Sequence, residues 1–279
     1  MIREEKTPIT EPVPLALVNK PRIRVLQVLN FVFFLLMVAV NYLAVALPIN
    51  GKTTGELSNQ YPNLFVPAGF TFAIWGVIYT LLLAFCIYQV QSLFSRRTSV
   101  ADAVVSRMGG LFMLSCVFNM AWIVAWHYEL TLLSVGIMLA FLLTLVTIYQ
   151  RLGIGFNALS RGEKWFVHVP FSVYLGWISI ATIANVTAWL VDNSWGGFGF
   201  NPNVWTVFML AVGVTLTAYM VLVTNGVFFG LVAMWAYFGI AARQYQSEDP
   251  SRIVAYAAMA GLVLVAIMVV ARFRRWHSY

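Results

Sequence analysis

Charged side chains are scarce in this sequence. Asp, Glu, Lys and Arg make up 10% of its 279 residues, against 61% apolar and 15% aromatic. An average soluble domain is about a quarter charged. So few charges cannot cover a water-facing globule, which excludes an ordinary soluble enzyme and a disordered regulator. A nucleic-acid-binding domain is excluded too, because the net charge of +7 is spread over segment ends and forms no patch. The composition is that of a polytopic membrane protein.

Cysteine and histidine are scarcer still. Cys86 and Cys116 both fall in apolar runs, where they make neither a disulfide framework nor a metal motif. They read as small buried hydrophobes. The three histidines, His127, His168 and His277, never pair at helical i, i+4 spacing, so neither zinc nor stable haem ligation is argued. No Ser-His-Asp, Cys-His or HExxH arrangement occurs. His168 would serve as an acid or base only if it reached a cavity. No catalytic residue, metal site or required cofactor is assigned.

Long apolar runs, by contrast, fill the chain. A helix needs about 20 apolar residues to cross the hydrocarbon core. Eight runs qualify: Val25–Pro48, Ala68–Phe94, Met108–Trp126, Leu130–Tyr149, Trp165–Val191, Trp205–Thr224, Gly226–Ala242 and Ile253–Ala271. None contains Asp, Glu, Lys or Arg. Their lengths suit helices and not the short alternating strands of a barrel. The fold class expected is all-α, a polytopic transmembrane bundle of about eight spans. Asn225-Gly226 is a strong turn dipeptide, so the sixth and seventh runs are read as two helices joined tightly. Ala44-Val45-Ala46 resembles a signal-peptide cleavage site. The run before it is longer than a signal peptide's, and a polar tail precedes it, so it is read as a retained span.

Lys and Arg set the expected orientation. Arg3, Lys6, Lys20, Arg22 and Arg24 precede the first span; Arg96, Arg97 and Arg107 follow the second; Arg151, Arg161 and Lys164 follow the fourth; Arg272, Arg274 and Arg275 close the chain. With eight spans these fall on one side, which places both termini in the cytoplasm, with a plasma or bacterial inner membrane favoured. The alternate loops are nearly neutral, with Lys52, Glu56, Glu129 and Asp192. Arg243 and Arg252 are discordant, offset by Glu248 and Asp249.

Polar groups inside such spans mark helix interfaces or cavities. Asn30 and Asn41 share a face of the first span. Phe72, Trp75 and Tyr79 share one on the second. Asn119 and Trp122 are i, i+3 neighbours on the third, and Tyr174, Trp177, Ala181 and Asn185 form a stripe on the fifth, with Ala184 beside it. Helix–helix contact explains any one of these residues. Taken together they describe a pocket of Trp, Tyr and Asn, which suits a large, flat, mostly apolar ligand with a few polar edges. Trp126, Trp165, Trp189, Trp205 and Trp276 lie near span ends, where aromatic belts are expected, and are assigned no function. Pro170 is expected to free a backbone acceptor early in the fifth span and kink it.

These residues carry a resemblance. Pro67-Ala68-Gly69-Phe70-Thr71-Phe72-Ala73-Ile74-Trp75-Gly76-Val77-Ile78-Tyr79 looks like the second-helix signature of the TspO/MBR family, P-P-x-W/F-x-F-x-x-x-W-x-x-x-Y. Asn119-Met120-Ala121-Trp122 resembles that family's third-helix N-x-x-W. Val169-Pro170, followed by Tyr174, Trp177, Ala184 and Asn185, resembles the fifth-helix pattern. The matches keep the family's order and cover about residues 25–192. The resemblance implies a five-helix translocator or tryptophan-rich sensory protein whose cavity binds porphyrins or other aromatic ligands. By matching position, Trp75, Asn119, Trp122, Tyr174, Trp177 and Asn185 would line or border that cavity. Tyr79 closes the second-helix motif and joins the expected ligand-binding set.

Two departures stand out. Ala68 replaces the motif's second proline, and the last three spans have no counterpart in a five-helix protein. The chain therefore divides, by expectation, into a polar tail 1–24, a TspO/MBR-like bundle 25–192, and three further spans with a basic tail, 193–279. Gly226 and Gly230, four apart, form a candidate helix-packing pair. The loose sterol-type pattern Val146, Tyr149, Arg151 is weak.

Three functions are weighed. The first is a binding or sensory membrane protein for a porphyrin-like ligand. The second is a secondary transporter or permease for a neutral or hydrophobic molecule, without the intramembrane carboxylates that ion coupling uses. The third, an enzyme, lacks a constellation to support it. The partners expected are the lipid bilayer and a hydrophobic small molecule, not nucleic acid; a homodimer is left open.

Overall fold

The computed structural model describes residues 19–47, 49–52, 54–156 and 160–276, with no side chains described from 274 onward. Arg3, Lys6, Pro48 and His277, and the side chains of Arg274, Arg275 and Trp276, therefore lie outside the described residues. The fold is all-helical, with no strand among the described residues. The helices are α1 (Lys20–Ala46), α2 (Thr54–Gln60), α3 (Ile74–Val90), α4 (Val100–Met108), α5 (Leu111–His127), α6 (Thr131–Leu152), α7 (Arg161–Asp192), α8 (Pro202–Val223), α9 (Val227–Gln246) and α10 (Arg252–Trp276).

Seven helices are individually long and apolar enough to cross a membrane, and the bent pair α4–α5 makes eight when taken as one broken span. These crossings fall on the eight runs expected. In α1 the buried residues Ile23, Gln27, Asn30, Phe34 and Met37 recur every three or four positions, and Ala44 follows two turns on, as one inward face requires. Val25, Val28, Leu29, Val32, Leu35 and Leu36 are exposed between them, the outward face of a helix whose solvent is lipid.

The structure refines several boundaries. Before α3, a 3-10 turn runs over Gly69–Ala73. Ahead of α5, the chain bends by 57° at Gly109 and Gly110. Gly109 has φ +58 and ψ −132, a backbone region that only glycine enters readily. α4 therefore leaves the axis of α5, carrying Asp102 and Arg107 away from the apolar run. In α7, residues Lys164–His168 form a π turn directly before Pro170. Such a turn relieves the missing proline N–H within a continuing helix. The joint between α8 and α9 falls where the Asn-Gly pair places it: Asn225 takes φ +53 and its amide donates to the Gly155 carbonyl at 2.9 Å.

Hydrogen bonds sort the loops into two groups, one at each end of the bundle. At one end Lys20 pairs with Asp102 at 2.6 Å, Arg24 donates to the Ser95 carbonyl, Arg107 pairs with Glu163 and Arg272 donates to the Leu222 carbonyl. At the other, Lys52 pairs with Glu129 at 2.5 Å, Thr131 donates to Asp192 and Ser251 to Asn203. The start of α1 and the end of α10 thus share a side, as an even number of crossings requires.

Two clusters of buried apolar side chains fill the interior. The larger draws on the first five spans, with Met220, Phe229 and Val232 added. The smaller belongs to the last three, with Phe65 and Ile180 added. α9 joins them. At Gly176 of α7, an added Cβ would sit 3.2 Å from Val232 and 3.3 Å from the Phe229 backbone, so the two helices cross in close contact. Gly230 faces Val221 of α8 and Val269 of α10; its side of the expected glycine pair packs within the chain.

Candidate functional site

A cavity lies at the seam between the two clusters. Its volume is about 60 Å³. That is well below the about 300–1,000 Å³ of small-molecule pockets, so a large ligand would have to part the walls to enter. Phe72, Trp75, Trp122, Trp126 and Trp177 form its aromatic lining. Along α7, Ala181, Ala184, Asn185 and Ala188 continue the wall. Their i, i+3, i+4 spacing puts three methyl-sized side chains and one amide on a single stripe. Ile180 of α7, Thr54 and Ser58 of α2, the segment Phe65, Val66 and Pro67, and Ala236 and Ile240 of α9 complete it.

The aromatic rings form a connected stack. Trp75 is its hub, with centroids 5.6 Å from Tyr79 and 6.0 Å from Trp122, both stacked, and 6.2 Å from Trp177, edge-on. Trp122 in turn stacks on Trp126 at 6.3 Å and 18°, one helical turn further along α5. Offset stacks and edge contacts are the arrangements aromatic quadrupoles favour. The indole N–H groups of Trp122, Trp126 and Trp177 are buried and find no acceptor among the described residues. A stranded buried donor costs about 1–3 kcal/mol, so this apolar site carries unspent hydrogen-bonding capacity.

The residues singled out in the sequence fall into two layers. Trp75, Trp122, Trp177, Ala184 and Asn185 are on the cavity wall. Tyr79, Asn119 and Tyr174 lie behind it. Asn119 is fully buried; its carbonyl oxygen accepts from the Asn41 amide at 2.6 Å, and its own amide donates to the Tyr174 hydroxyl at 3.3 Å. Tyr174 stands edge-on to Trp75 at 6.4 Å. Three helices are thereby locked behind the Trp75 ring. Asn185 lines the cavity, but its amide is spent on Ser134 at 2.9 Å. His168 is buried in the π turn of α7 and is not on the cavity wall, so the acid–base role conditional on reaching a cavity does not follow.

Sequence reasoning misplaced Trp126 in the interfacial belt. It is 6% exposed, on the cavity wall and in the ring stack. Its i, i+4 spacing from Trp122 was the available signal. Trp165, assigned to the same belt, is half-exposed. The contributions of α2 and α9 carried no local signal, since an alanine and an isoleucine in an apolar helix announce only packing.

No curated protein and no solved structure matches the chain. A family model described as TSPO-like protein matches residues 27–271, running from α1 through the last three helices to α10. The apolar helices and this match agree: the chain is an integral, multi-pass membrane protein that belongs to the TSPO-like family.

Proposed function

We propose that this protein binds a flat, largely apolar ligand, such as a porphyrin, in the tryptophan-lined cavity. The observation that carries the reading is the convergence of Trp75, Trp122, Trp126 and Trp177 on one cavity. Stacked indoles offer parallel apolar faces to a planar ring. The unpaired N–H groups of Trp122, Trp126 and Trp177 suit a ligand with acceptor atoms at its edge, such as the carboxylates of a porphyrin. A macrocycle would part the aromatic walls on entering, and the small side chains of Ala181, Ala184 and Ala188 leave the α7 side unobstructed.

The test is a titration of purified protein in detergent with protoporphyrin IX, following quenching of tryptophan fluorescence. Saturable quenching in the micromolar range is expected, weakened about tenfold in Trp75→Phe/Trp122→Phe. Unsaturable quenching, or equal affinity in the variant, would count against the reading.

A further inference from the structure

The cavity has a wall that the first five spans do not supply. Ala236 and Ile240, one turn apart on α9, face it. The same helix grips the segment that forms another wall. The Trp235 indole N–H donates to the Thr71 carbonyl at 2.9 Å, the Ala68 N–H donates to the Gly239 carbonyl at 2.9 Å, and the Gln244 amide donates to the Leu64 carbonyl at 3.1 Å. These three bonds bracket Phe65, Val66 and Pro67, all on the cavity wall. The grip depends on Gly239. A Cβ there would fall 2.1 Å from the Thr71 hydroxyl oxygen and 3.0 Å from the Thr71 Cβ. Thr71 is fully buried and β-branched, so its side chain has little room to turn away.

We propose that α9 is the specificity wall of the cavity, with Ala236 and Ile240 setting its width and Trp235, Gly239 and Gln244 holding its 64–71 rim. This inference rests on the reading of the cavity as a flat-ligand site. It assigns the last three helices a share in ligand selection. A five-helix bundle alone would leave the cavity without this wall and the rim without its anchors. Sites at the seam between two packed units are the common place for ligand selection.

The experiment compares protoporphyrin IX with acridine, a smaller flat aromatic, on the full chain in detergent. Ala236→Leu is expected to weaken protoporphyrin binding tenfold or more while acridine binding changes less than about threefold. Ile240→Ala is expected to shift the ratio the other way. Equal losses for both ligands, or no change for either, would overturn the proposal while leaving flat-ligand binding intact. Failure of the unaltered protein to bind either ligand would remove the underlying reading and this inference with it.

The rim has a readout that needs no ligand. Hydrogen exchange over residues 64–71 is expected to be at least tenfold faster in Gly239→Ala and in Trp235→Phe. Adding Thr71→Ala to Gly239→Ala removes the closest clash and should slow it again. Unchanged exchange in both single variants would show that α9 does not hold the rim.

Discussion

The indole of Trp75 on α3 stacks against that of Trp122 on α5, with centroids 6.0 Å apart and planes inclined by 30°. Neither residue is near the other in sequence; Asn119, one turn before Trp122, is anchored to Asn41 of α1 and to Tyr174 of α7, whose ring stands edge-on to Trp75. The cavity wall and the polar cluster behind it are thus one construction.

Trp126 extends the stack and should behave as a ligand contact. An aromatic pair contributes about 0.5–1.5 kcal/mol beyond area, which corresponds to about a twofold to tenfold change in affinity. Trp126→Phe is therefore expected to weaken protoporphyrin binding severalfold. Trp165→Phe, at a half-exposed position, should leave it unchanged. The same fluorescence titration measures both.

Asn119 should matter more to stability than Asn41. Asn119→Ala removes two interhelical hydrogen bonds, from the Asn41 amide and to the Tyr174 hydroxyl, whereas Asn41→Ala removes one, because the other Asn41 bond, to the Met37 carbonyl at 2.9 Å, lies within α1. Interhelical hydrogen bonds in membranes are worth on average about 0.6 kcal/mol, so the coupling between Asn119→Ala and Tyr174→Phe should be of that order. Thermal unfolding in detergent of the single and double variants gives the coupling directly.

At the basic end, Asp102 is the acceptor shared by four residues, Ser99 donating from both its N–H and its hydroxyl. Its fully buried carboxylate takes Lys20 at 2.6 Å, Ser92 Oγ at 2.7 Å, the Ser99 N–H at 2.7 Å and Gln27 at 3.4 Å. Asp102→Ala takes the acceptor from Ser92 Oγ and the Ser99 N–H, at about 1–3 kcal/mol for each one that water does not reach, while Gln27 keeps the Gln89 carbonyl and Ser92 Oγ, and Lys20 the Ser92 carbonyl. Lys20→Ala leaves the carboxylate with its Ser92 and Ser99 donors. The melting temperature should therefore fall further in Asp102→Ala than in Lys20→Ala.

Two nearby glycines separate conformation from contact. Gly153 caps α6 at φ +63 with open space where a Cβ would stand; Gly155 has φ +90, and its Cβ would lie 1.6 Å from the Thr224 carbonyl oxygen. Gly153→Ala is expected to cost only the left-handed backbone penalty, about 1–2 kcal/mol. Gly155→Ala must also push the α8–α9 turn off the loop after α6. It should yield far less monodisperse protein at equal expression, as read by size-exclusion chromatography.

The crossings were legible because charge is absent from the apolar runs and concentrated between them, a pattern that survives without tertiary knowledge. Trp75, Trp122 and Trp177 were legible because helical spacing aligns them with other aromatic and polar groups. The bend at Gly109-Gly110 was not, since apolar residues continue across it and only the backbone angle reveals it. Nor was the division into wall and backing: Asn119 and Asn185 look alike in sequence, yet one is enclosed between helices and the other borders a cavity. Trp126 was misassigned because a tryptophan near a span end fits an interfacial belt and a buried stack equally well until α2 and Tyr61, 5.6 Å from its ring, are seen to cover it. Ala236 and Ile240 owe their role entirely to what packs opposite them.

The most direct measurement is a cryo-electron microscopy or crystal structure of the protein with protoporphyrin IX. Flat density between Trp75, Trp122, Trp177 and the α9 residues Ala236 and Ile240 is the predicted result. Density confined to the lipid-facing surface, with the tryptophan stack unchanged, would contradict the assignment of this cavity as the ligand site.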